Sequence, residues 1–143
     1  EEAAAEEVTE EAAEEVAEET SEEPAVEEPP APTGDYATLL AEAQGLRGRR
    51  AEEAYRSALA ANPNGHEALA DLGFLLLNRG QMQEAAELAE RASALNPTSS
   101  KAWITLGAAR QTLRDREGAQ AAYRACVDQG QGQYVADCRQ MVR

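Results

Sequence analysis

From Tyr36 onward the chain repeats itself with a period of about 34 residues, and that period limits its fold more than any other feature. Asn62-Pro63 returns as Asn96-Pro97, and Leu72-Gly73 returns as Leu106-Gly107. Ala51, Ala85 and Ala119 fall in register, as do Tyr55, Ala89 and Tyr123, and then Ala58, Ala92 and Cys126. Ala68-Leu69 is answered by Ala102-Trp103, and an earlier copy starts at Tyr36 with Leu39-Leu40, one residue out of phase because its internal turn is shorter. A unit of this size cannot enclose a core alone, so neighbouring units must stack and share one.

Inside each period the apolar residues keep a helical rhythm in two blocks, for instance Leu69, Leu72, Leu76 and then Ala85, Leu88, Ala92, Leu95. Each copy is therefore predicted to be a helix pair. Gly80 separates the blocks of the second copy, and Asn-Pro closes the second block, where proline removes a donor and restricts the residue before it. The expected helices are 35–46, 49–61, 65–78, 81–95, 99–113, 115–128 and a terminal 133–142, with Ser99 or Ser100 capping the fifth. Gly73 and Gly107 on the first helices, facing Ala85 and Ala119 on the second, should let backbones cross more closely than the usual ~8–10 Å.

Residues 1–33 differ sharply from the rest in composition. They hold fourteen Glu and no Asp, Lys or Arg, whereas residues 34–143 carry 13 acidic and 13 basic side chains. The net charge of −14 thus belongs to one end. From Glu6 the pattern EExx runs four times; its four-residue period drifts around a helix without building an apolar stripe, and like charges recur at i,i+4. A disordered acidic tail is expected, followed by a proline-rich spacer at 24–33. A chain with no basic excess repels phosphate backbones, and no apolar run approaches the ~18 residues of a membrane span, so neither nucleic acid nor membrane insertion by this segment is expected. The chain opens at Glu1 with neither an initiator Met nor the regions of a signal peptide, which reads as a fragment or processed product. Its twelve Arg to one Lys and its many Ala fit a GC-rich bacterial genome.

The repeat resembles the tetratricopeptide-repeat family over about 95 residues. That family's pattern is a large residue, Leu-Gly, an aromatic, Ala, an aromatic, Ala and Pro. The third copy supplies Trp103, Leu106-Gly107, Ala119, Tyr123 and Cys126 in place of the last Ala; the second supplies Leu69, Leu72-Gly73, Ala85, Ala89, Ala92 and Pro97. Arg110 stands where the first-helix aromatic is expected, Leu40 replaces Gly in the first copy, and no Pro closes the third. The resemblance implies an all-α, right-handed helix-pair solenoid at 34–143, with repeats at about 34–63, 64–97 and 98–131 and a capping helix at 133–142.

It also implies a concave groove lined by the first helices, holding a protein or peptide partner. Its centre would comprise Ala70, Asp71, Phe74, Leu77, Asn78, Lys101, Thr105, Ala108 and Gln111, with Phe74 and Leu77 serving either as an apolar anchor or as packing between copies. The family's clamp for a chaperone's C-terminal carboxylate fails here. Its places hold Ala37, Ala41, Asp71, Lys101 and Thr105, so one cation survives beside an acid that repels the ligand.

Cys126 and Cys138 flank a loose Gln- and Gly-rich stretch, each six residues from a reversal near Gly132. Two antiparallel helices there could bring them within the ~4.4–6.8 Å Cα window of a disulfide, stapling the cap and implying an oxidising compartment such as the periplasm or cell envelope. The alternative is a pair of buried thiols in a cytoplasmic protein. His66 reads as a surface or capping residue, and no phosphate loop, nucleophilic triad, metal-ligand set or convergent carboxylate pair is present, so neither an enzyme nor a cofactor is expected. The functional expectation is a non-catalytic protein-interaction module, tethered within a larger protein or complex. Two alternatives stand: an assembly element of a bacterial envelope complex acting through its convex or end surface, and an acidic-tail shield for basic partners.

Overall fold

The computed structural model describes residues 34–142, so the expectations for the tail at 1–33 lie outside the described residues. Seven helices fill the described residues: α1 (Tyr36–Gly45), α2 (Gly48–Ala61), α3 (His66–Asn78), α4 (Met82–Leu95), α5 (Ser100–Thr112), α6 (Arg116–Gln129) and α7 (Val135–Met141). They form an all-α solenoid of three antiparallel pairs closed by α7, and each helix falls within two residues of its expected bounds.

Local chemistry sets the helix ends. The Asp35 carboxylate accepts from the Thr38 amide at 2.8 Å, the Ser99 hydroxyl from Ala102 and the Asp115 carboxylate from Gly118, each satisfying an amide that the first turn leaves without a partner. Helix α3 has Gly65 at its N-cap, which supplies no side chain, and its Ala68 amide donates instead to the Tyr36 hydroxyl of the preceding copy, 3.2 Å away. A Cβ at Gly65 would lie 2.5 Å from Cζ of that ring, so the contact needs glycine.

The interior is mostly alanine and leucine. Leu69, Leu72, Leu76 and Leu106 are essentially inaccessible, and Ala43, Ala58, Ala85, Ala92 and Ala102 line the helix crossings. Gly73 brings α3 onto α4, where a Cβ would sit 3.4 Å from the Ala85 carbonyl oxygen and 3.5 Å from the Ala89 nitrogen. Small residues at fixed intervals thus set the spacing of each pair, and the leucines and tyrosines fill the space around those crossings.

Because consecutive helices alternate in direction, turns within pairs lie along one edge of the solenoid and turns between pairs along the other. The glycines Gly48 (φ 62°) and Gly80 (φ 82°) occupy left-handed positions in the first two within-pair turns. The third uses Arg114 at φ 69°, a conformation that disfavours a residue with a Cβ. On the opposite edge the Gln131 amide donates to the Thr98 carbonyl at 2.8 Å, tying the segment before α7 to the start of α5.

Candidate functional site: the first-helix groove

The first helices α1, α3 and α5 lie side by side, and Asp71 joins all three. Its Oδ1 accepts from Lys101 Nζ at 2.6 Å and its Oδ2 from Gln44 Nε2 at 3.1 Å. Tyr55 lies behind it on α2, where burial first and then the Asp71 carboxylate push the phenol up to about 12. A cleft of about 480 Å³ opens beside this cluster, lined by Gln44, Asp71 and Lys101 and rimmed by the amides and hydroxyls of Asn96, Thr98, Ser99 and Gln131. His66 starts α3 at the same rim, its Nδ1 3.5 Å from Asn96 Nδ2.

One turn further along α3, Phe74 meets a partner from beyond the third copy. The Tyr134 ring, at the start of the capping segment, lies 5.7 Å from it between centroids at an interplanar angle of 44°. Lys101 Nζ stands 6.0 Å from the Phe74 centroid, at the outer limit of a cation–π contact. Phe74 and Tyr134 remain half-buried and form an aromatic shelf at the edge of the polar cleft.

The groove residues expected from the repeat fall in different places. Asp71, Lys101 and Ala70 line the cleft, and Phe74 forms the shelf. Leu77 packs against the hydrophobic core, while Asn78 is exposed at the end of α3 and Ala108 is half-buried on α5. Thr105 corrects the expectation of a groove-lining side chain: it is 0% exposed, with its hydroxyl donating to the Lys101 carbonyl of its own helix at 2.7 Å. Gln111 is also displaced. Its Oε1 accepts from the Tyr123 hydroxyl at 2.9 Å, and it lines a separate cavity of about 880 Å³ with Arg114, Arg116, Ala119 and Gln120.

Cys126 and Cys138 come together between α6 and α7 with Cα atoms 6.1 Å apart and their sulfurs joined, both side chains fully buried. Among the described residues no group of three or more His, Cys, Asp or Glu is placed to hold a metal, and no helix is long and apolar enough to cross a membrane.

The stacked antiparallel pairs and the groove along their first helices define a helical-repeat protein of the kind that presents a concave recognition surface. The sequence pattern of the tetratricopeptide repeat matches residues 43–106. The chain is 30% identical to the Sgt2 TPR domain of Aspergillus fumigatus, whose crystal structure superposes with a TM-score of 0.61 over 77% of this chain and 78% of that one. A heat-shock protein cognate co-chaperone of the same fungus, sgt12, is 33% identical over 102 residues, which are 68% of this chain; the chain spans only 30% of that protein's length. This chain belongs to the tetratricopeptide-repeat family.

Proposed function

We propose that the chain is a non-catalytic recognition module that holds an extended protein segment along the first-helix groove. The observation that carries this reading is the pairing of a polar cleft with an aromatic shelf. Gln44, Asn96, Thr98 and Gln131 offer donors and acceptors to a peptide backbone, and Phe74 with Tyr134 offers one apolar side chain a surface to cover. The ligand chemistry differs from that of a carboxylate clamp. Lys101, the one cation at the clamp positions, is already engaged by Asp71 at 2.6 Å, so an incoming carboxylate meets a neutralised pair. A segment with uncharged polar residues and one aromatic or aliphatic anchor fits best. The co-chaperone name of the sgt12 relative supports a protein partner in general, but not that particular ligand.

The test is selection of linear peptides on the purified chain, followed by titration against Phe74→Ser and Lys101→Glu with folding checked by circular dichroism. Selected peptides should bind the parent and lose at least tenfold with Phe74→Ser, while an acidic peptide with a free C-terminal carboxylate should not bind. Preferential binding of that acidic peptide would overturn the reading. The buried cysteine pair supports a location in an oxidising compartment, where the bond to the cap would keep Tyr134 on the shelf.

A further inference from the structure

The two edges of the solenoid differ in their share of arginine, although Asp115 lies in the third within-pair turn and Asp35, Glu67, Lys101 and Asp128 lie beside the other edge. The between-pair turns at 62–65, 96–99 and 130–133 contain no charged residue. The within-pair turns and the residues beside them carry Arg47, Arg49, Arg50, Arg79, Arg114 and Arg116. All six are exposed. Arg79 pairs with Glu52, and Arg47 donates to the Leu46 carbonyl at 2.9 Å. Among the described residues Arg47, Arg49, Arg50, Arg114 and Arg116 have no carboxylate partner. The acids nearest in sequence are Glu52, Glu53, Asp115 and Glu117; Glu52 is taken up by Arg56 and Arg79, and Asp115 is engaged as the α6 cap.

A second observation singles out the same edge. Gly80, one period before Arg114, occupies the left-handed turn position at φ 82°, yet the third copy places an arginine there at φ 69°. Backbone strain at a residue that a glycine would relieve points to a use for its side chain. Arg114 and Arg116 line the cavity of about 880 Å³ together with Gln111, Ala119 and Gln120.

We propose that this arginine edge is the docking track for the chain's own Glu-rich segment, residues 6–28. The charge is complementary: that segment supplies twelve carboxylates and no cation, whereas residues 34–143 balance at 13 acidic and 13 basic side chains. The reach suffices. Gly34 leads into α1, whose start lies on the edge opposite the arginines, and α1 with its ten residues is about 15 Å long. The ten residues 24–33, four of them proline, span up to ~31 Å in a polyproline conformation, enough to carry Glu pairs past α1 to Arg47–Arg50. Successive copies along the edge are ~10 Å apart and successive Glu pairs about 13 Å apart in extended chain, so one strand can serve several turns. Each exposed pair is weak and screened by salt, so the contact is multivalent and salt-sensitive. Docking there leaves the first-helix groove open and neutralises its edge.

The test compares amide spectra of the full chain with those of a full-length variant carrying Glu→Gln at all fourteen acidic positions of residues 1–28. At 20 mM salt the differences should cluster at 46–50, 79–81 and 113–116 and vanish at 0.5 M. The double variant Arg114→Gln/Arg116→Gln and the triple variant Arg47→Gln/Arg49→Gln/Arg50→Gln should each remove the differences at their own turns. Superposable spectra at low salt would overturn the proposal, as would differences centred on Phe74, Lys101 and Tyr134. A synthetic peptide of residues 6–28 that binds the edge equally well with and without the neutralised segment would overturn it too, because the edge would then stand open for an outside acidic partner.

Discussion

Gly107 on α5 lies against the ring of Tyr123 on α6 so closely that a Cβ on the glycine would stand 2.7 Å from Cδ1. Tyr123 is 1% exposed and its hydroxyl is held by Gln111, so the ring has nowhere to move. Gly107→Ala is expected to cost ~1–3 kcal/mol by overpacking, as is Ala85→Leu at the equivalent crossing of the second copy. Gly73→Ala, whose Cβ would meet only contacts of 3.4 Å and longer, should cost less. Urea unfolding of the three variants checks this, with the exposed Gln83→Ala as a control expected to be nearly neutral.

Arg114→Gly should raise stability by about 1 kcal/mol, because glycine adopts the left-handed conformation without the strain that arginine bears at φ 69°. Thermal unfolding in 0.5 M salt, where the arginine's charge is screened, isolates this backbone effect. An unchanged or lower midpoint would show that the turn gains nothing from glycine.

The tyrosines set an alkaline limit. Burial raises Tyr36, Tyr55 and Tyr123 above the ordinary phenol value of 10.0, Tyr55 to about 12. A raised phenol in the folded state means that the unfolded chain releases its proton first. The stabilisation is therefore complete below pH 10 and is lost as pH rises toward 12. Tyr55→Phe should weaken this dependence, measured as the unfolding midpoint between pH 9 and 12 alongside absorbance of the phenolate.

At the acid end Glu52 provides the opposite slope. The Arg56 guanidinium that donates to it, with Arg79 beside it, holds its carboxyl below the ordinary value of 4.5. Its contribution is present above pH 4.5 and is lost as pH falls through the lowered folded value. Glu52→Gln should flatten the stability profile below pH 4.5; an unchanged profile would mean that the exposed pair contributes nothing measurable.

With the Cys126–Cys138 bond formed, a loop of about 13 residues is closed, and the bond contributes about 3 kcal/mol on the chain-entropy account. Cys126→Ala/Cys138→Ala should lose about that much, and peptides that use the aromatic shelf should weaken with it. Thiol titration of denatured, unreduced protein reads the state of the pair directly.

The helix pairs and their crossings were legible because a repeat constrains every copy at once: Gly73 and Ala85 meet as their spacing demands, and Ser99 caps α5 as its position demands. The Phe74–Tyr134 shelf was not, because Tyr134 lies beyond the third period and nothing within a single copy fixes where the capping segment crosses. Thr105 differs from its counterpart in the second copy: Asp71 lines the cleft, whereas Thr105 turns its hydroxyl back onto the Lys101 carbonyl and is buried. The strain at Arg114 did leave a signal, its alignment with Gly80, which only the turn geometry makes meaningful.

Trp103, the chain's single tryptophan, bonds its Nε1 to the Pro97 carbonyl at 2.7 Å, at the joint where the second pair gives way to the third. Its emission therefore reports on that seam alone. If unravelling starts from α1, fluorescence will stay native while circular dichroism already declines, and two probes that agree in a compact domain will diverge in this linear one.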